Sequence, residues 1–173
     1  MKGANFLCIG KLEKNENFEE LINSWAKFNE KLVICGNGSL KDQLQELIFN
    51  TNQSKKILII NPKSFTLEEL FSKSKCLLLI SNAYETSILA INALKNKVPV
   101  IATENKNISF LLPQELIHHK NQNLSFPQFL ENYVPSINQY KFDAIFSYVQ
   151  KKHKNKDLNT NKDFYDLVFN KDK

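Results

Sequence analysis

Three short polar segments carry the residue types that could do chemistry. Ser81-Asn82-Ala83-Tyr84-Glu85-Thr86-Ser87 follows an apolar run and opens a helical pattern. Its backbone amides and the positive end of a helix dipole suit an anion there. Glu85 falls in the first helical turn, where an acidic side chain is also favoured for electrostatic reasons alone. Gly36-Asn37-Gly38-Ser39 sits between an apolar run and a second helical pattern. That spacing would let backbone approach a phosphate, though it lacks the third glycine of the dinucleotide fingerprint and equally suits a plain tight turn. Lys11, after Gly10, is a point charge able to reach a phosphate across neighbouring strand ends. Asn61-Pro62 and Thr103-Glu104 end two further apolar runs. His118, His119 and His153 show no metal-ligand spacing, so no metal is expected. A P-loop and a Gly-x-Ser-x-Gly elbow are both missing.

The elements that would position these segments alternate along the chain. Asn5–Ile9, Lys31–Cys35, Ile57–Ile60, Cys76–Ile80 and Val98–Ala102 are compact apolar runs that read as buried strands. Between them, apolar residues recur at helical spacing over Phe18–Phe28, Leu40–Phe49, the stretch after Thr66, and Glu85–Asn96. Asn17 suits the start of the first helix, and Thr66 with Glu69 forms a capping box. Five strands with four intervening helices predict an α/β fold with a doubly wound parallel sheet. In such a sheet ligands bind beyond the carboxyl ends of the strands, where all the polar segments above fall. Further on, Ile108–Leu112 fits a short helix or strand, Glu115–His118 a sixth strand, and Phe126-Pro127 opens a brief helix. Phe142–Lys152 is amphipathic. Residues 1–153 are expected to form one domain, and 154–173 a polar linker and tail.

Composition narrows the classes. The chain has 173 residues, 42% hydrophobic and 24% charged, enough for one packed core. No stretch reaches the roughly 18 to 20 apolar residues of a membrane helix, and the start lacks a secretory-signal pattern. Cys8, Cys35 and Cys76 lie inside apolar runs, which reads as reduced, buried thiols in a cytoplasmic protein. The net charge is +5, yet all 23 basic residues are lysine and most are scattered. Nucleic-acid binding, which wants a basic patch interleaved with aromatics, is not expected.

Taken in order, these pieces resemble the C-terminal, donor-binding domain of GT-B glycosyltransferases of family 4 (group 1). The matching blocks are Phe6-Leu7-Cys8-Ile9-Gly10-Lys11-Leu12, Leu32 to Leu40 around Gly36-Asn37-Gly38, Tyr84-Glu85-Thr86, and Val98-Pro99-Val100-Ile101-Ala102-Thr103. The resemblance covers roughly residues 4 to 113 and implies a Rossmann-like half-domain. It implies retaining transfer of a hexose-type sugar from a UDP- or GDP-sugar, with no other cofactor and no metal. By resemblance, Lys11 contacts the donor diphosphate and Glu85 the transferred sugar. Gly10, Gly36, Asn37, Gly38, Leu40, Asn61, Asn82, Tyr84, Thr86, Ser87 and Ile88 would surround the nucleotide. Asn92 stands where the family places a ribose-binding glutamate, Glu16 where it places a second phosphate lysine, and Thr86-Ser87 where it places a glycine turn.

The resemblance further implies an acceptor half, as an N-terminal domain or a partner subunit. Any membrane contact, at the inner face, would come through that partner or the acceptor. An apolar docking face near the strand ends is then expected. The altered positions also fit a non-catalytic GT-B-like domain acting as a binding or scaffolding module. An unrelated flavodoxin-like binding domain is a third reading, disfavoured by the ordered blocks.

Overall fold

The structure, a computed structural model, describes residues 3–81, 85–106, 108–109, 111–112, 114–119 and 125–133. Asn82, Tyr84, the amphipathic stretch Phe142–Lys152 and the expected linker and tail lie outside the described residues.

Six parallel strands form one sheet: β1 (Asn5–Ile9), β2 (Leu32–Cys35), β3 (Ile57–Ile60), β4 (Ser74–Leu79), β5 (Val100–Thr103) and β6 (Ile117–His118). Their spatial order is β3-β2-β1-β4-β5-β6. The order reverses between β1 and β4, which is the switch point where a doubly wound sheet opens a crevice. The helices are α1 (Phe18–Trp25), α2 (Lys41–Asn50), α3 (Leu67–Ser72), α4 (Glu85–Lys95) and α5 (Phe126–Tyr133).

Strand alternation divides the core into two layers. Phe6 and Cys8 of β1, Leu32 and Ile34 of β2, and Cys76 and Leu78 of β4 face α1, α2 and α5. Leu7, Ile9, Leu77 and Leu79 face the opposite layer, built on α3 and α4. Both faces of the central strands are covered, so those strands are apolar without a polar side.

Trp25 anchors the first layer. Its ring lies 5.1 Å from Phe6 and 5.0 Å from Phe28, and its Nε1 donates to the Glu30 carbonyl at 2.8 Å. Helix α1 stops at Trp25, short of the expected Phe28. From there Lys27 and Phe28 make turn bonds back to Ser24 and Trp25, and the Lys56 ammonium donates to the freed Ala26 and Phe28 carbonyls.

Three other expectations are refined and a fourth is met. Asn17 does not cap α1 with its side chain: its backbone is left-handed (φ 58°), and its Nδ2 donates to the Ile80 carbonyl beyond β4 at 3.1 Å. The sixth strand is real but only two residues long, preceded by a 3₁₀ turn over Gln114–Leu116. In the stretch expected as a short helix or strand, the described residues Ile108, Ser109, Leu111 and Leu112 make turns, hydrogen-bonded back to Asn105 and Ile108. The Thr66–Glu69 capping box is present in both directions, at 3.2 and 2.8 Å.

Candidate functional site

At the β1/β4 switch point the described residues enclose an open pocket of ≈ 220 Å³. Ile9 and Leu89 supply apolar wall; Lys11, Glu16, Ser81, Glu85 and Thr86 supply polar groups, with Gly10 between. Three elements bring them there. The end of β1 delivers Gly10 and Lys11, the loop just before α1 delivers Glu16, and the segment after β4 and the first turn of α4 deliver Ser81, Glu85 and Thr86. Ligand pockets commonly hold roughly 300 to 1,000 Å³, so this one is small.

Of the sequence candidates, Gly10, Lys11, Glu85 and Thr86 meet in this pocket. Thr86 is committed to structure as well: its side chain is buried, and its Oγ1 accepts from Asn105 Nδ2 at 3.2 Å. The same Nδ2 reaches the Ser81 carbonyl at 3.1 Å, and Asn105 Oδ1 accepts from the Ile108 amide at 2.9 Å. One buried asparagine thus joins the ends of β4 and β5 to the start of α4. Sequence reasoning missed Asn105, because only the fold shows that its amide faces three segments at once. Ser87 and Ile88 continue α4; Ile88 packs against the α3/α4 layer and is not among the described pocket lining.

The glycine turn lies beside the pocket and is tied to its rim. Leu12 N–H donates to the Asn37 carbonyl at 3.0 Å, and Leu40 N–H donates to the Leu12 carbonyl at 2.9 Å. A Cβ on Gly36 would stand 2.4 Å from the Gly10 carbonyl oxygen, and one on Gly38 2.5 Å from that of Leu12. These glycines therefore permit two loops of the chain to touch. The start of α2, the expected phosphate position, already holds an anion. Glu13 accepts from the Ser39 amide at 2.9 Å and from its hydroxyl at 2.5 Å, which together hold the Glu13 carboxyl below its ordinary range.

Two candidates are placed away from the pocket lining. Asn61 directly follows β3, the outermost strand on its side of the sheet, and its Oδ1 accepts from the Lys63 amide at 3.0 Å. Asn92 donates to the Ile88 carbonyl one turn back on α4, at 2.9 Å. Of the large exposed apolar side chains among the described residues, Phe49, Leu58 and Phe65, only Phe65 follows the carboxyl end of a strand. They do not form the broad apolar face expected at the strand ends.

Histidine plays packing roles. His118 is buried against Phe126 and Phe129 at 5.6 and 5.2 Å, and His119 Nδ1 lies 3.2 Å from Glu104. Among the described residues no group of three or more His, Cys, Asp or Glu could hold a metal ion. No described helix is long and apolar enough to cross a membrane.

A parallel sheet in the order 3-2-1-4-5-6, with a pocket at its switch point, defines a Rossmann-like doubly wound domain. A family profile, "Glycosyl transferases group 1", matches residues 1–141, and the chain belongs to that family. Among its relatives is an N-acetylgalactosaminyltransferase of Campylobacter jejuni acting on an undecaprenyl-diphosphate-linked sugar. It is 31% identical over 114 residues, which are 62% of this chain and 30% of that protein. The chain spans about 30% of the length of the curated relatives it matches.

Two solved structures share the fold at lower identity. The C-terminal domain of a group 1 glycosyl transferase family protein of Francisella tularensis is 15% identical with a TM-score of 0.62, the match covering 99% of this chain and 87% of that one. A mutant TarM of S. aureus, in complex with Fondaparinux, alpha-GlcNAc-glycerol and UDP, is 17% identical with a TM-score of 0.64, covering 98% and 36%.

Proposed function

We propose that this chain is the donor-binding half of a retaining glycosyltransferase, taking a UDP- or GDP-linked hexose-type sugar in the pocket between β1 and β4. The observation that carries this is the meeting of Lys11 and Glu85 in one pocket at the switch point, in a chain of this family. Lys11 faces the diphosphate and stabilises the charge that develops on it as the glycosidic bond breaks. Glu85, fixed in the first turn of α4, accepts hydrogen bonds from sugar hydroxyls and orients the ring. The positive end of the α4 dipole adds favourable potential where the diphosphate lies. No metal or further cofactor enters this scheme. The acceptor and the opposite wall come from an N-terminal domain or a partner subunit, in keeping with the small pocket volume and the share of the relatives' length that the chain spans. The work is done at the cytoplasmic face of the membrane when the acceptor is lipid-linked.

A second reading, a binding or scaffolding module without turnover, is favoured by one feature. The family's ribose-binding position is Asn92, an uncharged amide whose Nδ2 donates within its own helix. Calorimetric titration of UDP, GDP and their hexose conjugates into the chain separates the two. Donor binding predicts micromolar to low-millimolar affinity, weakened about tenfold in Lys11→Ala, as expected for losing a charged contact to phosphate. No heat with any nucleotide in the wild-type chain would leave the scaffolding reading.

A further inference from the structure

Glu16 is the unexplained group in the pocket. The described charged residues lining it are two carboxylates, Glu16 and Glu85, against the single ammonium of Lys11. Glu16 also bears a cost: its Oε2 is buried and has no hydrogen-bond partner among the described residues. A carboxylate oxygen withdrawn from water with nothing donating to it destabilises a fold. Its electrostatic neighbour is the Cys8 thiol, held un-ionised first by burial and then by the Glu16 charge, which offers the carboxylate no compensation. A residue that costs stability and faces a pocket is placed where a ligand-directed role would put it.

The charge of the ligand then matters. A nucleoside diphosphate ends in a phosphomonoester whose second proton leaves near neutral pH, so it carries about three negative charges. A nucleotide sugar has that oxygen esterified and carries about two. Repulsion from a fixed carboxylate grows with each added charge on the ligand. We propose that Glu16 is a specificity-determining residue that discriminates by charge, disfavouring the free nucleoside diphosphate relative to the sugar-bearing donor and so speeding departure of the spent product. Lys11 attracts both ligands; Glu16 subtracts more from the one with the higher charge. This inference rests on the proposed function, since it assigns the pocket to a diphosphate.

The test is the ratio of UDP to UDP-sugar affinity, or GDP to GDP-sugar if those bind, measured by calorimetry at pH 7.5 in the wild-type chain, Glu16→Gln and Glu16→Lys. The ratio is expected to shift toward the free diphosphate by about fivefold in Glu16→Gln and about 25-fold in Glu16→Lys, which doubles the change in charge. Glu19→Lys makes the same change in net charge on the exposed side of α1 and is expected to leave the ratio unmoved. Glu16→Gln is expected to melt no lower than the wild type, because the neutral amide removes the buried charge. Binding of both ligands with one ratio in all the proteins, or the same shift in Glu19→Lys, would overturn the charge discrimination and leave donor binding intact. Failure of every protein to bind any of these ligands would overturn donor binding and this inference together.

Discussion

Single side chains decide what the pocket can attract. Lys11, the cation proposed to attract the donor, lies just past the end of β1 and lines the same pocket as Glu85. Asn105 shows how much a single buried amide can hold: it spans Ser81, Thr86 and Ile108, and without it the start of α4 loses its tie to β5. The cysteines do something different. Cys8, Cys35 and Cys76 are free and buried; burial pushes the Cys35 thiol up to about 12 and the other two further in the same direction. A thiol reagent such as DTNB at pH 8 is therefore expected to modify none of the three in the native chain and all three in denaturant, because the thiolate is the reactive form. Rapid labelling of the native protein would contradict the burial of these strands.

At the scale of elements, two helix starts show how a carboxylate is used. Glu69 closes the capping box of α3, and Glu13, from the loop after β1, occupies the start of α2. Hydrogen bonds hold both carboxyls below their ordinary value, so each favours the fold while ionised. For a lowered folded value, that contribution is present above the unfolded value of 4.5 and disappears as pH falls through the folded one. Thermal melts from pH 7 to pH 3 are expected to be flat above about pH 5 and to fall below pH 4. Glu13→Ala with Glu69→Ala is expected to flatten that acid limb; an unchanged limb would mean other carboxylates govern it.

Turns are equally specific. Gly36→Ala must push its methyl against the Gly10 carbonyl, a rigid backbone atom, and is expected to cost about 1 to 3 kcal/mol in denaturant melts. It should also weaken nucleotide binding, since Gly10 borders the pocket. A neutral Gly36→Ala would mean the two loops have room to separate.

For the whole molecule, the doubly wound topology gathers residues far apart in sequence at one end of the sheet. The switch between β1 and β4 leaves a crevice because α1 and α2 cover one face while α3 and α4 cover the other. The pocket sits in that crevice and is small. Helix α5 returns to the first layer, where Lys27 of the α1 exit meets Glu131 at 2.6 Å. Both side chains are substantially exposed, so that ion pair adds little next to Phe126, Phe129 and Leu130 beneath it.

Much of this was legible in the sequence. Apolar runs of four to six residues alternating with helical periodicity require a parallel sheet with both faces covered, because only burial on both sides accommodates Leu77-Leu78-Leu79 in β4. The Thr66–Glu69 box is equally local, since its partners are three residues apart. Lys11 and Glu85 stood out mainly through the family resemblance, with position in support: Lys11 lies just past β1 and Glu85 opens α4. Tertiary structure alone decided the rest. That Asn61 follows an outer strand, that Glu13 fills the start of α2 where a phosphate was expected, and that Asn17 bonds to Ile80 rather than to its own helix all depend on contacts between distant segments. Periodicity carries which face of an element is buried, but a polar side chain spends its hydrogen bonds on whatever the packed fold brings within 3 Å or so.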